Sequence, residues 1–180
     1  GMDTLSFKVE NAVWKWEGSV NINYEVAYDA ESNSTTVHFL ESNFHYWGRD
    51  TFGSTATADI SVRAADNAES LASAKMSAYG ATYMEARDYP ATPQPTSVTV
   101  QHGDEDGEKA VIISASALIS ARMTAAATSN TNGTGSGTAT KVSGTRETTK
   151  AKIYINGAAV KATPYVGRKK AKAYHGRVKM

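Results

Sequence analysis

The chain contains no cysteine, and this absence removes several kinds of chemistry at once. Without thiols a protein forms no disulfide, has no thiol nucleophile and holds no cysteine-bound zinc or iron–sulfur cluster. The fold must therefore be stabilised by its core, and 41% apolar residues in a chain of 180 are enough to build one. We expect one domain with an appended segment.

Long apolar runs and enzyme signatures are missing as well. The chain has no run of the roughly 18 apolar residues that a membrane-spanning helix needs. No basic and apolar leader follows Met2, so we expect synthesis in the cytoplasm without a sorting signal and no membrane insertion. Gly-x-Ser-x-Gly, His-Glu-x-x-His and phosphate-loop motifs do not occur. We predict no catalytic residue, no cofactor and no bound metal.

Acidic residues are absent from the end of the chain. From Lys152 onward there are eight Lys or Arg and no Asp or Glu, whereas residues 1–151 hold eleven bases and eighteen acids. A basic tail can bind nucleic acid or anionic lipid. The acidic body of a neighbouring copy is another electrostatic partner, so we predict self-association and no nucleic-acid binding. A solvated charged tail is the alternative.

What the chain does have is alternation of apolar and polar residues. Val20, Ile22, Tyr24, Val26 and Tyr28 alternate with polar or small residues, which predicts a strand with one wet face. The turn formers at 29–34 then predict a hairpin with the strand that follows. Further strands are predicted at 5–9, 55–64, 69–78, 97–101, 109–119 and 135–142, where the third could also form a short helix.

The segments between these strands complete the predicted architecture. The turn 103–107 predicts a hairpin of the strands on either side of it, with Gly107 at positive φ. The proline-rich segment 89–95 predicts a crossover between sheets, and the Gly, Ser and Thr-rich strand 135–142 predicts an edge. About nine strands favour an all-β fold, an antiparallel β-sandwich of the jelly-roll or immunoglobulin-like type. We divide the chain into a body (2–142), a linker (143–150) and a small β-repeat tail (151–180).

The densest mixture of aromatic and polar side chains lies near residue 47. Aromatic faces stack on sugar rings, while Arg and Asp form paired hydrogen bonds to hydroxyls, so this cluster predicts saccharide binding. The alternative is packing in the core. If this segment is a strand, its side chains point alternately to two faces, and those on one face belong to the core. Two tryptophans near residue 15 allow the same two interpretations, a saccharide groove or packing at a core or interface. The predicted ligand-binding residues are Trp47, Tyr46, His45, Arg49, Asp50, Trp14 and Trp16.

Three carboxylates, Asp104, Glu105 and Asp106, stand together before Gly107. Calcium prefers such oxygen-rich turns, but the spacing of a complete calcium loop is missing. We therefore interpret this segment as a turn.

The last thirty residues repeat one short phrase. Lys152-Ile153-Tyr154-Ile155-Asn156-Gly157 is followed by Pro164-Tyr165-Val166-Gly167-Arg168 and by Ala173-Tyr174-His175-Gly176-Arg177. A repeated unit that cannot bury its own apolar face must stack on its neighbours or on another chain. We therefore predict assembly through Tyr154, Tyr165 and Tyr174.

The Tyr-Ile-Asn-Gly phrase and the segment Val160-Lys161-Ala162-Thr163-Pro164-Tyr165-Val166 resemble the C-terminal repeats of tail and host-binding proteins of phages that infect Gram-positive bacteria. The start at Trp14–Val20 and the strand pattern of the body resemble minor tail or baseplate proteins of siphoviruses. The resemblance implies a non-enzymatic virion protein of the tail tip, baseplate or fibre. Its implied partners are itself, as a homo-oligomer such as a trimer, other virion proteins and host cell-wall polysaccharide.

Two other classes of protein fit the same sequence. A bacterial carbohydrate-binding or adhesion module would use the same aromatic residues, and a polysaccharide-cleaving enzyme would need two carboxylates at a suitable separation. Oligomerisation through 151–180 favours the virion protein, whereas dependence of turnover on a carboxylate favours the enzyme.

Overall fold

The described part of the chain contains twelve β-strands, and every strand pair within it is antiparallel. The structure, a computed structural model, describes residues 1–12, 16–48, 54–80, 85–121, 132–148, 151–155 and 158–162. Side chains are described in these ranges except at Trp16, Trp47, Glu85, Ala121, 151–155 and 158–162. The strands are β1 (Asp3–Asn11), β2 (Trp16–Asp29), β3 (Ser34–Phe39), β4 (Ser42–Gly48), β5 (Ser54–Ala64), β6 (Asn67–Gly80), β7 (Glu85–Ala91), β8 (Ser97–Gln101), β9 (Gly107–Ala121), β10 (Gly133–Arg146), β11 (Ala151–Ile155) and β12 (Ala158–Ala162).

Ten of these strands form one sheet that is nearly closed into a barrel. Its order is β6-β5-β9-β10-β1-β2-β3-β8, and β4 joins it by pairing with β2 and β7. The two edges of the sheet meet where Lys75 of β6 and Gln94, just before β8, exchange main-chain hydrogen bonds of 2.9 and 2.8 Å. Nearby, the Gln101 amide donates to Ser70 Oγ at 2.6 Å. The predicted all-β, antiparallel, sandwich-like class is confirmed, with one continuous sheet enclosing the core.

The core follows the alternation that the sequence shows. Val20, Ile22 and Tyr24 of β2 are buried, and so are the alternate residues of β9 from Val111 to Ile119. Burying an Ile or Val side chain contributes about 1.5–3 kcal/mol, so these two strands supply much of the apolar stabilisation. The segment 69–78 lies in β6, which confirms the strand and excludes the helix.

One predicted hairpin and one predicted crossover are wrong. β8 pairs with β3 and β9 pairs with β5 and β10, so residues 97–101 and 109–119 do not form the predicted hairpin. Gly107 does have positive φ, at 126°. The proline-rich segment connects β7 to β8 within the same sheet, not one sheet to another. Alternation reports which face of a strand is buried, but it does not report which neighbour the strand pairs with.

The glycine-rich strand β10 lies in the middle of the sheet, between β9 and β1, and is not the predicted edge. It also continues past Val142 to Arg146 through a register shift, so the segment predicted as a linker begins inside a strand. Strand β1 pairs with β10 at Glu10 and Thr134 and then passes close over its inner side. A Cβ on Gly135 would collide with the carbonyl oxygen of Lys8.

The same close approach continues along β10. A Cβ on Gly137 would lie 2.8 Å from Phe7 Cδ1, and one on Gly144 would lie 2.5 Å from Tyr28 Cδ1. Cβ atoms do not occur so close to other heavy atoms, so β10 needs glycine at these positions. Glycine weakens a strand by its conformational entropy, but here it allows β1 and β2 to pack directly on the main chain.

We predict that Gly135→Ala and Gly137→Val each lower the free energy of unfolding by about 1–3 kcal/mol, because the added carbons overpack the inner side of β10. Urea unfolding followed by tryptophan fluorescence measures this change. Ser136→Val, on the outer face of the same strand, is the matched control and should change stability by less than about 0.5 kcal/mol. Equal effects of the inner and outer substitutions would contradict the close approach.

Candidate functional site

The predicted saccharide cluster lies on β4, and the strand divides it between two faces. Phe44 and Tyr46 are buried at 0% and 1% exposure. The Tyr46 ring stacks on Tyr89 with centroids 4.4 Å apart, and its hydroxyl donates to the Ser54 carbonyl at 3.4 Å. Burial, with smaller contributions from Tyr89 and Tyr79, raises the pKa of Tyr46 above its usual value. The prediction that Tyr46 contacts ligand is therefore corrected, because its ring belongs to the core.

His45 lies on the outer face of β4, where it forms a polar cluster with Asn43 and Asp88. Asp88 Oδ1 is 2.9 Å from His45 Nδ1 and accepts a hydrogen bond of 2.9 Å from Asn43 Nδ2. The Asp88 side chain is 70% exposed and that of His45 46%. The cluster holds a carboxylate in a fixed orientation toward solvent, and such a group can accept hydrogen bonds from sugar hydroxyls.

Two of the other predicted ligand residues, Trp16 and Trp47, belong to strands that meet at one end of the sheet. Trp16 pairs with Asn11 at the start of β2, and Trp47 pairs with Ala86 near the end of β4. Ser54, Gly80 and Ala121 are register partners at this same end. Trp14, Arg49 and Asp50 lie outside the described residues.

A charged network that the sequence did not predict occupies the opposite end of the sheet. At its centre the Lys109 ammonium donates to Asp66 Oδ2 at 2.6 Å and to the carbonyls of Gly103 and Glu105 at 2.9 and 2.8 Å. The Lys109 side chain is only 3% exposed. All three ammonium protons thus have acceptors, which is what a buried cation requires.

Asp66 is held by more than this lysine. His102 Nδ1 lies 2.9 Å from Asp66 Oδ1, and the Gly103 amide donates to Oδ2 at 3.1 Å. Partial burial acts to raise the pKa of Asp66, but hydrogen bonds and charge interactions from Lys109 and His102 outweigh it, and the pKa is lowered. The carboxylate therefore remains ionised inside the network.

Hydroxyl and amide groups extend the network to β3 and β10. His102 Nε2 is 2.7 Å from Thr35 Oγ1, which is itself 2.7 Å from Ser143 Oγ. Asn33, at φ 51° in the turn between β2 and β3, donates to the Gly103 carbonyl at 2.9 Å. The network therefore fixes the β2–β3 turn, the β5–β6 turn, the segment 102–106 and the end of β10 against one another.

The order Asp66, His102, Thr35 resembles an acid, a base and a hydroxyl nucleophile. Thr35 is 0% exposed, and so is the His102 side chain. A nucleophile must reach its substrate, so this arrangement has no route to an external acyl group. It stabilises the fold.

One signal in the sequence pointed to this network. Lys109 has the same parity as Val111 and Ile113, so alternation places a lysine on the buried face of β9. A lysine is almost never fully buried without a partner, and its position therefore called for a carboxylate nearby. The sequence could not show that the partner is Asp66, because that residue lies in a turn 43 positions away.

The acidic turn and the tail tyrosines complete the predicted positions. Asp104 accepts a 3.2 Å hydrogen bond from Arg146, and Asp106 accepts one from Thr148. Within the described residues no group of three or more His, Asp or Glu is placed to hold a metal ion. Tyr154 lies in β11 opposite Ala159, whereas Tyr165 and Tyr174 lie outside the described residues.

No protein-family model, no curated protein and no solved structure matches this chain. A search of the described residues also finds no helix that is long and apolar enough to cross a membrane.

We predict that Asp66→Asn lowers the free energy of unfolding by about 3–5 kcal/mol, because it leaves the Lys109 ammonium buried without its counter-charge. Thermal and urea unfolding measure the loss. Asp88→Asn removes an equally charged but exposed carboxylate and should cost less than about 1 kcal/mol. A small effect at both positions would show that the ion pair is not buried in solution.

The same carboxylate predicts how stability depends on pH. The folded pKa of Asp66 is lowered, so its contribution is fully present above the unfolded pKa of about 3.9 and is lost as the pH falls through the folded value. Unfolding midpoints measured between pH 7 and pH 2 should therefore fall below about pH 4. The Asp66→Asn protein should lose less stability over this range than the unsubstituted protein, and a parallel decline in the two would contradict this assignment.

Proposed function

We propose that the chain is a non-enzymatic structural protein of a phage virion, a component of the tail tip, baseplate or fibre. The observation that carries the proposal is the C-terminal hairpin. Strands β11 and β12 form a two-stranded sheet separate from the ten-stranded one, and they contain the first of the tyrosine repeats. A two-stranded hairpin is marginally stable alone in water, so it gains stability by packing on another surface.

Charge supports a second copy as that surface. The tail from Lys152 onward has eight bases and no acid, while residues 1–151 have an excess of acids. Attraction between the tail of one copy and the body of the next favours association and weakens as salt is added. The resemblance of the repeats to phage tail proteins supports the same assignment.

Host-surface saccharide is the external partner in this proposal. The connections that include Trp14, Arg49 and Asp50 start and end at the same end of the sheet as Trp16 and Trp47. His45 and Asp88 add an exposed polar cluster on β4 and β7. Weak saccharide sites become effective when an oligomer presents several of them together, because each bound site raises the local concentration of the next.

We expect the full chain to form a stable oligomer and a chain that lacks residues 151–180 to be a folded monomer. Multi-angle light scattering at low and moderate salt measures both masses, and circular dichroism reports the fold. The triple variant Tyr154→Ser, Tyr165→Ser and Tyr174→Ser keeps the length and charge of the tail. It therefore distinguishes assembly through the repeat tyrosines from assembly by charge attraction alone. A truncated chain with unchanged oligomeric mass contradicts the proposal, and a full chain that stays monomeric favours a stand-alone carbohydrate-binding module.

A further inference from the structure

A groove of about 480 Å³ lies on the outer face of the sheet, across β6, β5, β9 and β10. Its floor is the main chain of these strands, and its side chains carry oxygen. Six hydroxyls and one carboxylate line it, from Ser61, Ser73, Ser114, Ser116, Ser136, Thr138 and Asp59.

Strand register explains why these groups converge. Asp59 of β5 pairs with Lys75 of β6 and with Ser116 of β9, which pairs with Ser136 of β10. The adjacent row runs Ser73, Ser61, Ser114 and Thr138. Neighbouring strands are about 4.8 Å apart, so the two rows form a strip of oxygen atoms about 14 Å long.

Most of these oxygens have unused hydrogen-bonding capacity. On the other half of the outer face, facing pairs satisfy each other, as Thr4 does with Asn23 at 2.7 Å and Thr36 with Thr99 at 2.8 Å. In the groove, Ser114 and Thr138 share a hydrogen bond of 3.1 Å. Among the described residues no side-chain partner is found for Asp59 or Ser116, so these groups remain available to a ligand.

Exposed apolar side chains stand in the rows on either side. Leu118 is 40% exposed and Leu71 is 61% exposed, each two residues from a groove serine. Further along β6, the Tyr79 ring is 68% exposed. Exposed large apolar residues grouped around a polar strip mark a binding surface, and an aromatic face is suited to the C–H side of a sugar ring.

We propose that this groove binds a neutral oligosaccharide, with Asp59 accepting hydrogen bonds from neighbouring sugar hydroxyls and Tyr79 contacting a ring face. Serine hydroxyls both donate and accept, as sugar hydroxyls do, so the two surfaces are complementary in chemistry. Asp59 and Lys75 are register partners whose formal charges cancel, so this face does not select an anionic ligand. The inference rests on the proposed function for the source of the saccharide, a host cell wall. None of the residues predicted to bind ligand near Trp47 lines the groove, and Tyr79, next to Gly80, lies between the groove and that end of the sheet.

The test is titration of the full-length protein with neutral oligosaccharides of two to six rings, built from glucose, galactose, rhamnose or N-acetylglucosamine. Calorimetry and amide chemical shifts follow binding. We expect at least one of these to bind, with Asp59→Asn and Ser116→Leu weakening it about tenfold or more, since each removes or blocks a hydrogen-bonding group. Tyr79→Ala should weaken it by a similar factor.

Two controls separate this groove from other surfaces. Thr99→Val removes an outer-face hydroxyl on β8 and should leave binding unchanged, and Trp47→Ala tests the aromatic site at the end of the sheet. All variants must unfold at the same urea midpoint as the unsubstituted protein, and the exposure of Asp59, Tyr79, Thr99 and Ser116 favours this.

Three results would overturn the assignment. The first is that none of the neutral sugars binds. The second is that Trp47→Ala abolishes binding while Asp59→Asn and Ser116→Leu leave it intact. The third is that the protein prefers an anionic polymer and that added salt abolishes this binding. Light scattering on the same samples reports assembly separately. A protein that binds sugar but does not form an oligomer counts against the virion proposal. A protein that forms an oligomer but does not bind sugar counts against the groove.

Discussion

The buried ion pair between Lys109 and Asp66 is the contact on which one whole end of the protein depends. Lys109 lies near the start of β9 and Asp66 in the turn between β5 and β6, and each accepts or donates further hydrogen bonds that reach His102, Gly103 and Glu105. A buried charge without its partner costs several kcal/mol, so the turns around it cannot move independently. This constraint gives the sheet a fixed end, and the chain runs on from that end into the tail.

Strand β10 shows how one sequence feature serves two surfaces. Glycines on its inner side allow β1 and β2 to approach, while serine and threonine on its outer side line the groove. Larger inner side chains would push β1 away, and larger outer ones would fill the groove. The composition that predicted an edge strand is therefore compatible with a central strand, because small residues satisfy the packing on both faces.

Local pattern predicted the strands well and their pairing poorly. The alternation in β2 and β9 identified which residues are buried, and the turn at 29–34 identified the β2–β3 hairpin. β8 pairs with β3, and β9 pairs with β5 and β10, all of them contacts between distant parts of the chain. Lys109 and Asp66 are also 43 positions apart, and no local rule reports such contacts. For the aromatic cluster on β4, alternation allowed for a buried face, and the structure shows that Tyr46 is on it while His45 is not.

One end of the sheet and its outer face differ in what their residues do. At the end that contains Lys109 and Asp66, charged and hydroxyl groups form hydrogen bonds with one another, and few remain to bind a ligand. On the outer face, hydroxyl groups, the Asp59 carboxylate and the Tyr79 ring are left exposed. Polar groups without protein partners are stable in water, so the fold tolerates them, and their grouping near exposed Leu71, Leu118 and Tyr79 is the basis of the proposed saccharide surface. In the proposed function, the end fixed by Lys109 and Asp66 leads into residues 151–180, which assemble, while the outer face presents weak sites that act together.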